Sequence, residues 1–291
     1  MLKHRLISGC LIVAALVLSA NYMPAFGILL LLVGLSSLAQ HEFYSILRRA
    51  GIPAFRILGT ACGAALITAT FFNMGGERSG VAGAYRWENF VLMASLIAVF
   101  VRQFPQQHND KPLETIGCTL LGIWYVPFLF NFITRLVFTR DGEGGGPNVG
   151  ETGRMLALYL VAVVKSGDSG AYAVGSLLGR HKLMPRISPG KTWEGFCGGI
   201  AAAVLASWLF SALGDHRLGK VALEPGHALV LGGLLSIAGI VGDMFESLLK
   251  RAGGAKDSSS AIPGLGGLLD ILDSLLFGAP VLYVYMKVFL M

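Results

Sequence analysis

Long apolar runs constrain this chain more than any other feature of its sequence. A helix needs about 20 largely apolar residues to cross the roughly 30 Å hydrocarbon core of a bilayer. Nine runs in the 291 residues approach or exceed that length. The chain is 54% hydrophobic and only 14% charged, whereas water-soluble domains carry about 25% charged residues. We therefore predict an all-α polytopic integral membrane protein.

The predicted spans have approximate boundaries, and the first two form a hairpin around residues 21–24. The first run could instead be a signal peptide, because Lys3 and Arg5 precede it. However, no small-residue cleavage site follows, and a second apolar run begins almost at once. The nine spans are 5–20, 24–40, 54–73, 88–103, 113–138, 153–177, 193–213, 227–249 and 268–290.

The basic residues orient these spans. The net charge is +6, but lysine and arginine occur in short clusters between apolar runs, which is a membrane-topology pattern rather than a nucleic-acid-binding stripe. With the amino terminus in the cytoplasm, fourteen of these residues fall in inner loops and seven in outer loops. The positive-inside rule favours that arrangement.

Charged residues inside three of the spans converge at one depth. Ionisable groups within a membrane are costly and usually functional. In the predicted topology, all of them lie toward the cytoplasmic ends of their spans. They are Lys165 and Asp168 in 153–177, Asp243 and Glu246 in 227–249, and Asp270 and Asp273 in 268–290.

The spacing of these acids indicates a metal site. Asp243 and Glu246 share one helix face, as do Asp270 and Asp273, because both pairs are three residues apart. Carboxylates that meet in this way need a cation between them, and Mg²⁺ binds through one or two carboxylates together with substrate phosphates. Two alternatives stay open: Glu246 forms an ion pair with Lys250, four residues later, or the whole set forms helix-end salt bridges.

Two predicted inner loops complement the acids with basic, serine and glycine residues. They read "GRHKLMPRISPGKTWEG" and "KRAGGAKDSSSAIPGLGG". Lysine and arginine neutralise phosphate, and glycine lets backbone amides approach an anion. The alternative is ordinary positive-inside charge in contact with anionic lipid.

These loops and their flanking helices resemble the phosphatidate cytidylyltransferase family. That family has the pattern S-x-x-K-R-x4-K-D-x-S, then P-G-H-G-G and D-R-x-D. Here the matching stretches are "SLLKR", "KDSS", "PGLGG" and "DILD", and "GDSGAYAVGSLLGRHKLMPRISPGKTWEG" resembles an upstream block. Leu265 replaces the histidine of this pattern, and Ile271 replaces the arginine of D-R-x-D.

The resemblance implies transfer of a cytidylyl group from CTP to phosphatidate, giving CDP-diacylglycerol and pyrophosphate, with Mg²⁺ as the cofactor in a site for one or two metal ions. We accordingly divide the predicted spans into an N-terminal membrane region, 1–150, with about five spans, and a C-terminal catalytic membrane region, 151–291, with about four spans and two cytoplasmic loops. The expected catalytic residues are Asp243, Asp270, Lys250 and Arg251; the substrate-binding residues are Lys182, Ser188, Lys191, Thr192, Lys256, Asp257, Ser258 and Ser259; the metal ligands are Asp243, Asp270, Asp273 and Asp168.

Three other functions remain open at this stage. A CTP-dependent polyprenol or lipid kinase would use similar nucleotide chemistry on a hydroxyl group, which requires a base. A transporter would use intramembrane charges as a pathway, although these charges lie toward one face. A catalytically silent lipid-binding relative is suggested by Leu265 and Ile271. We expect membrane lipids and the substrates CTP and phosphatidate as partners and no nucleic acid; whether the chain is a monomer or a homodimer stays open.

Overall fold

A computed structural model of the chain describes residues 23–75, 86–107, 109–141, 149–253 and 267–291. These residues are mostly helical. The helices are α1 (Ala25–Arg49), α2 (Arg56–Gly75), α3 (Arg86–Gln103), α4 (Pro112–Ile123), α5 (Leu129–Val137), α6 (Glu151–Leu178), α7 (Trp193–Leu213), α8 (Pro225–Ala252) and α9 (Leu268–Tyr285). Two π-helical turns, Trp124–Phe128 and Met286–Leu290, join α4 to α5 and extend α9.

Six helical segments of the described part are long and apolar enough to cross a membrane. They coincide with the predicted spans 24–40, 54–73, 113–138, 193–213, 227–249 and 268–290. The predicted spans 88–103 and 153–177 are helices α3 and α6, which are not among these six. The predicted span 5–20 lies outside the described residues. The structure therefore supports an all-α membrane protein without establishing nine spans.

Helix α1 continues to Arg49, nine residues past the predicted end, because its polar side chains find partners inside the protein. The Gln40 amide donates to the Gly59 carbonyl at 3.0 Å, and the Tyr44 hydroxyl donates to the Thr119 carbonyl at 2.9 Å. A buried polar group that is hydrogen-bonded avoids most of its desolvation cost. These bonds tie α1 to α2 and α4.

Helices α6, α7 and α8 pack closely through small and hydroxyl side chains. A Cβ atom on Gly170 of α6 would lie 2.3 Å from the Cβ of Ala202 in α7, so only glycine allows this approach. The Tyr159 and Ser207 hydroxyls are 2.6 Å apart, and Ser207 donates to the Ala228 carbonyl at 2.5 Å. One serine thereby links all three helices.

Short antiparallel hairpins interrupt the helices at two places. Strands β1 (Lys182–Met184) and β2 (Ser188–Thr192) connect α6 to α7, and β3 (Arg217–Leu218) and β4 (Val221–Ala222) connect α7 to α8. Thr192 ends β2 and also caps α7, because its hydroxyl accepts a bond from the Gly195 amide at 3.1 Å. The first hairpin is therefore fixed directly to the start of a spanning helix.

The start of α9 is held by buried contacts from two other helices. The Glu42 carboxylate of α1 accepts a hydrogen bond from the Leu269 amide at 2.9 Å. Gly242 of α8 lies directly against the Asp273 backbone, since a Cβ there would fall 2.3 Å from the Asp273 carbonyl oxygen. These contacts bring the acidic ends of α8 and α9 together.

Candidate metal and phosphate site

Three carboxylates from two helices form a compact group. Oxygen atoms of Asp243, Glu246 and Asp273 all lie within 4.8 Å of one another. Asp243 and Glu246 are one helical turn apart on α8, and Asp273 reaches them from the first turns of α9. Glu246 is 1% exposed and Asp273 is 4% exposed, whereas the Asp243 side chain is 44% exposed. The group therefore has one open side.

Glu246 forms the ion pair with Lys250 that the sequence left open as an alternative. One oxygen pairs with the Lys250 ammonium at 2.8 Å, as the four-residue spacing predicts. The other, Oε1, is buried without a hydrogen-bond partner in the part of the chain that is described. An unsatisfied buried carboxylate oxygen is costly, so Oε1 can serve as a ligand atom for a cation, beside the Asp270 side chain with which Glu246 also interacts.

Asp270 occupies a different position from its neighbour Asp273. Its carboxylate pairs with Lys250 at 3.1 Å and accepts a hydrogen bond from the Gly267 amide at 3.1 Å, which caps the start of α9. Lys250 therefore bridges Asp270 and Glu246. Asp270 was predicted as a catalytic residue and metal ligand; it borders the three-carboxylate group without being one of its members.

Asp168 pairs with a lysine of its own helix, α6. The Lys165 ammonium contacts the Asp168 carboxylate at 3.2 Å, the Ser274 hydroxyl at 2.9 Å and the Ile271 carbonyl at 3.0 Å. The Ser274 hydroxyl also donates to Asp168 at 3.1 Å. Lys165 and Asp168 thus fasten α6 to α9 next to Asp273.

The β1–β2 hairpin brings basic side chains to the open side. Lys191 pairs with Asp243 at 2.8 Å and donates to the Ile240 carbonyl at 3.3 Å. Arg251, at the end of α8, donates to the Ile187 carbonyl at 3.3 Å. Lys191 and Lys250 therefore lie beside the carboxylates, whereas Arg251 contacts the hairpin backbone.

The other predicted substrate-binding residues differ in accessibility. Lys182 is exposed in β1, and Ser188 is partly buried at the start of β2. Thr192 is 4% exposed and already accepts the α7 capping bond, although its hydroxyl proton remains available. Lys256, Asp257, Ser258 and Ser259 lie outside the described residues, as does Leu265.

Tyr125 is a site residue that the sequence did not indicate. It lies in the π-helical turn before α5 and is 4% exposed, in edge contact with Phe245 of α8. Its hydroxyl has no hydrogen-bond partner within the described ranges and lies in the field of Asp273, Glu246 and Asp243. The available signal was Pro127, because proline disrupts a helix and π-helical turns often mark functional sites.

The donor set fits a hard divalent cation. Three carboxylates supply oxygen ligands, the buried Glu246 oxygen lacks a protein partner among the described residues, and Asp243 opens toward the basic hairpin. Mg²⁺ prefers such oxygen ligands and usually shares its remaining positions with water and phosphate. The arrangement can therefore hold one metal ion beside a polyanion.

Comparison with known proteins agrees with this chemistry. Residues 3–289 match the model of the cytidylyltransferase family. A phosphatidate cytidylyltransferase of Mycobacterium leprae is 31% identical over 94% of this chain and 83% of its own length. That of Bacillus subtilis is 35% identical over 62% of each chain, and that of Haemophilus influenzae is 40% identical over 44% of each. Several of these alignments thus cover less than two thirds of the relative. The match over almost the whole sequence places this chain in the cytidylyltransferase family.

Proposed function

We propose that this protein transfers a cytidylyl group from CTP to phosphatidate, producing CDP-diacylglycerol and pyrophosphate. The observation that carries the proposal is the three-carboxylate group of Asp243, Glu246 and Asp273, bordered by Lys191 and Lys250. A cytidylyltransferase needs such a pairing, because it must hold a metal-bound triphosphate beside an anionic lipid headgroup. The names of the relatives supply the lipid substrate.

The residues divide the chemistry between them. Asp243, Glu246 and Asp273 would hold Mg²⁺, with Asp168 and Asp270 adjacent, and the bound ion would neutralise charge on the triphosphate. Lys191, Lys250 and Arg251 would hold phosphate oxygens. Lys182, Ser188 and Thr192 would add contacts from the hairpin, and residues 256–259 from the second loop.

The reaction itself needs little acid–base help. An oxygen of the lipid phosphate attacks the α-phosphorus of CTP, a new P–O bond forms, and the bond to the β-phosphate oxygen breaks to release pyrophosphate. The lipid phosphate is already an anionic nucleophile, so no proton has to be removed. Positioning and charge stabilisation by the lysines then carry most of the rate enhancement.

The topology proposal follows from the same requirement. We place the amino terminus, the β1–β2 hairpin and the α8–α9 connection in the cytoplasm, in a nine-span chain whose catalytic region is 151–291. The bias of basic residues supports this orientation, and CTP is a cytoplasmic solute. Residues 1–150 would also contribute, since Glu42 and Tyr125 contact the catalytic region. This orientation can be tested with single cysteines introduced at exposed positions of the β1–β2 hairpin. Their labelling by a membrane-impermeant reagent is compared between intact cells and inverted vesicles.

One assay tests the activity. The purified chain is incubated with labelled CTP and phosphatidate, with and without Mg²⁺, and both products are identified. CDP-diacylglycerol and pyrophosphate in equal amounts, only with the metal, are the expected products. In a parallel reaction with a polyprenol as acceptor, release of CDP and formation of the phosphorylated polyprenol would indicate a kinase. Absence of any nucleotide turnover would contradict the proposal. Asp270→Asn with full Mg²⁺-dependent turnover would remove Asp270 from the catalytic set.

A further inference from the structure

The Lys165 ammonium sits in an oxygen site of the kind that a metal ion uses. A lysine ammonium has three N–H donors and no acceptor. Here they meet a carboxylate oxygen of Asp168, a hydroxyl of Ser274 and the main-chain carbonyl of Ile271, at 2.9–3.2 Å. Carboxylate, hydroxyl and carbonyl oxygens are also the ligands of hard cations. All three donors are therefore committed to protein atoms.

This ammonium lies next to the three-carboxylate group. Ser274 directly follows Asp273 in α9, and Lys165 lies within Coulombic range of the Asp273 carboxylate. The side chain of Lys165 is 22% exposed. A second cation in a two-metal site would stand about 3.5–4 Å from the first and would need its own oxygen ligands. Oxygen atoms of Asp168, Ser274 and Ile271, which could serve as such ligands, already surround the ammonium.

The other flank of the group is also occupied by a lysine. Lys250 bridges Glu246 and Asp270 at 2.8 and 3.1 Å. By contrast, Oε1 of Glu246, in a side chain that is only 2% exposed, has no hydrogen-bond donor among the described residues. That oxygen marks the three-carboxylate group as the remaining place for a cation.

We propose that this site binds a single divalent ion, and that Lys165 is a built-in second cation that fixes Asp168 and Ser274 beside Asp273. The inference rests on the proposed function, which gives this site its catalytic role. The contacts of Lys165 do not depend on the identity of the substrate. It also accounts for Ile271. Where the family pattern has an arginine side chain, this chain brings the ammonium of Lys165 to the backbone carbonyl of the same residue. Lys165 is thus a positioning residue.

The number of bound ions tests the proposal without turnover. The full chain is placed in nanodiscs of neutral phosphatidylcholine, stripped of metal, and titrated with Mn²⁺ while the electron paramagnetic resonance signal of free Mn²⁺ is followed. CTP is left out because it binds its own divalent ion. We expect one Mn²⁺ per wild-type chain, displaced by Mg²⁺ and lost in Asp243→Asn. Any other wild-type count overturns the proposal.

Variants of Lys165 separate its charge from its volume. Lys165→Ser removes the ammonium and leaves its three oxygen partners free. The number of Mn²⁺ ions bound per chain should therefore rise from one to two. Lys165→Met fills the same space without offering a ligand, and Lys165→Arg keeps the charge; both should bind one ion. A folded Lys165→Ser variant that still binds one ion overturns the proposal. If Lys165→Ser does not fold, the wild-type count decides.

The two proposals can fail separately. A chain that binds one Mn²⁺ but does not convert CTP and phosphatidate contradicts the proposed function and leaves the one-ion site in place. A chain that makes CDP-diacylglycerol but binds two Mn²⁺ ions contradicts the one-ion site alone.

Discussion

Gly242 and Asp273 meet backbone to backbone, because a Cβ atom on Gly242 would lie 2.3 Å from the Asp273 carbonyl oxygen. Helices α8 and α9 can approach closely enough to join their carboxylates only while residue 242 lacks a side chain. Gly242→Ala should push the helices apart and separate Asp243 from Asp273. We expect overpacking to cost about 1–3 kcal/mol and turnover of CTP and phosphatidate to fall about 100-fold.

The same helix supplies the control for this substitution. Gly233 of α8 has no atom within 4 Å of its would-be Cβ, so Gly233→Ala should preserve turnover and slightly raise the unfolding temperature. An active Gly242→Ala enzyme with wild-type Mg²⁺ dependence would show that the close approach does not organise the site.

Lys250 should be the lysine whose loss costs most stability. Its ammonium bridges Glu246 and Asp270, and its side chain is only 16% exposed. Lys250→Met leaves two carboxylates close together without their shared cation, which costs about 3–5 kcal/mol for buried pairs. Thermal unfolding in detergent measures the loss, and added Mg²⁺ should recover part of it.

Lys111 provides a matched exposed pair. It contacts Glu114 at 3.1 Å with side chains 55% and 49% exposed, and such pairs contribute about 0–1 kcal/mol. Lys111→Met should therefore hardly change the unfolding temperature. Equal effects of the two substitutions would argue against a buried bridge at Lys250.

Glu246 should affect metal dependence as well as stability. Glu246→Gln keeps the size of the side chain but replaces one of the three carboxyl groups with an amide. If Glu246 is a ligand, the Mg²⁺ concentration for half-maximal turnover should rise by about 10–100-fold, as for other perturbed metal sites. The exposed Glu114→Gln is the control. A variant that loses thermal stability while keeping the wild-type Mg²⁺ requirement would show that Glu246 pairs with Lys250 but is not a metal ligand.

Asp141 gives a pH-dependent contribution to stability at the start of α6. Partial burial raises the pKa of its carboxyl, but hydrogen bonds from the Thr152 side chain and from the Thr152 and Glu151 amides lower that pKa below the usual 3.8. A carboxylate at a helix amino terminus contributes about 0.3–1 kcal/mol. Since the folded-state pKa is the lower one, this contribution is present at neutral pH and disappears as the pH falls through the folded-state value.

The substitution Asp141→Asn isolates the charge. It should lower the unfolding temperature at pH 7, and the difference from wild type should shrink as the pH is lowered below about 4. Glu224 also precedes a helix, α8, but makes no capping hydrogen bond with its side chain, so Glu224→Gln should show little change at either pH. A difference for Asp141→Asn that grows toward acid pH would contradict the linkage.

The positions and lengths of the apolar runs predicted where most helices lie, but they did not predict which side chains contact each other. The runs 54–73, 193–213 and 268–290 match helices because a span needs little more than continuous hydrophobicity. The shared depth of Asp243 and Asp273 was also predictable from their positions along adjacent spans. Their i, i+3 spacing put Asp270 and Asp273 on one face, yet it could not show that Asp270 would cap its helix and meet Lys250. That outcome depends on helix rotation, which neighbouring backbones decide.

Tyr125 comes from a helix far away in the sequence, and its role is open to a direct test. Its buried hydroxyl has no hydrogen-bond partner among residues that the structure describes, which costs about 1–3 kcal/mol in a protein without ligand. Tyr125→Phe should therefore leave the unfolding temperature unchanged or raise it. If the hydroxyl donates to a group bound at the carboxylates, the same substitution should lower turnover about tenfold, since a hydrogen bond to a charged group contributes about 1.5–3 kcal/mol.

Tyr159→Phe should behave in the opposite way, because the Tyr159 hydroxyl is 2.6 Å from Ser207: its loss should lower the unfolding temperature and leave the Mg²⁺ dependence intact. A Tyr125→Phe protein that is less stable but fully active would assign this hydroxyl to the fold and not to the site.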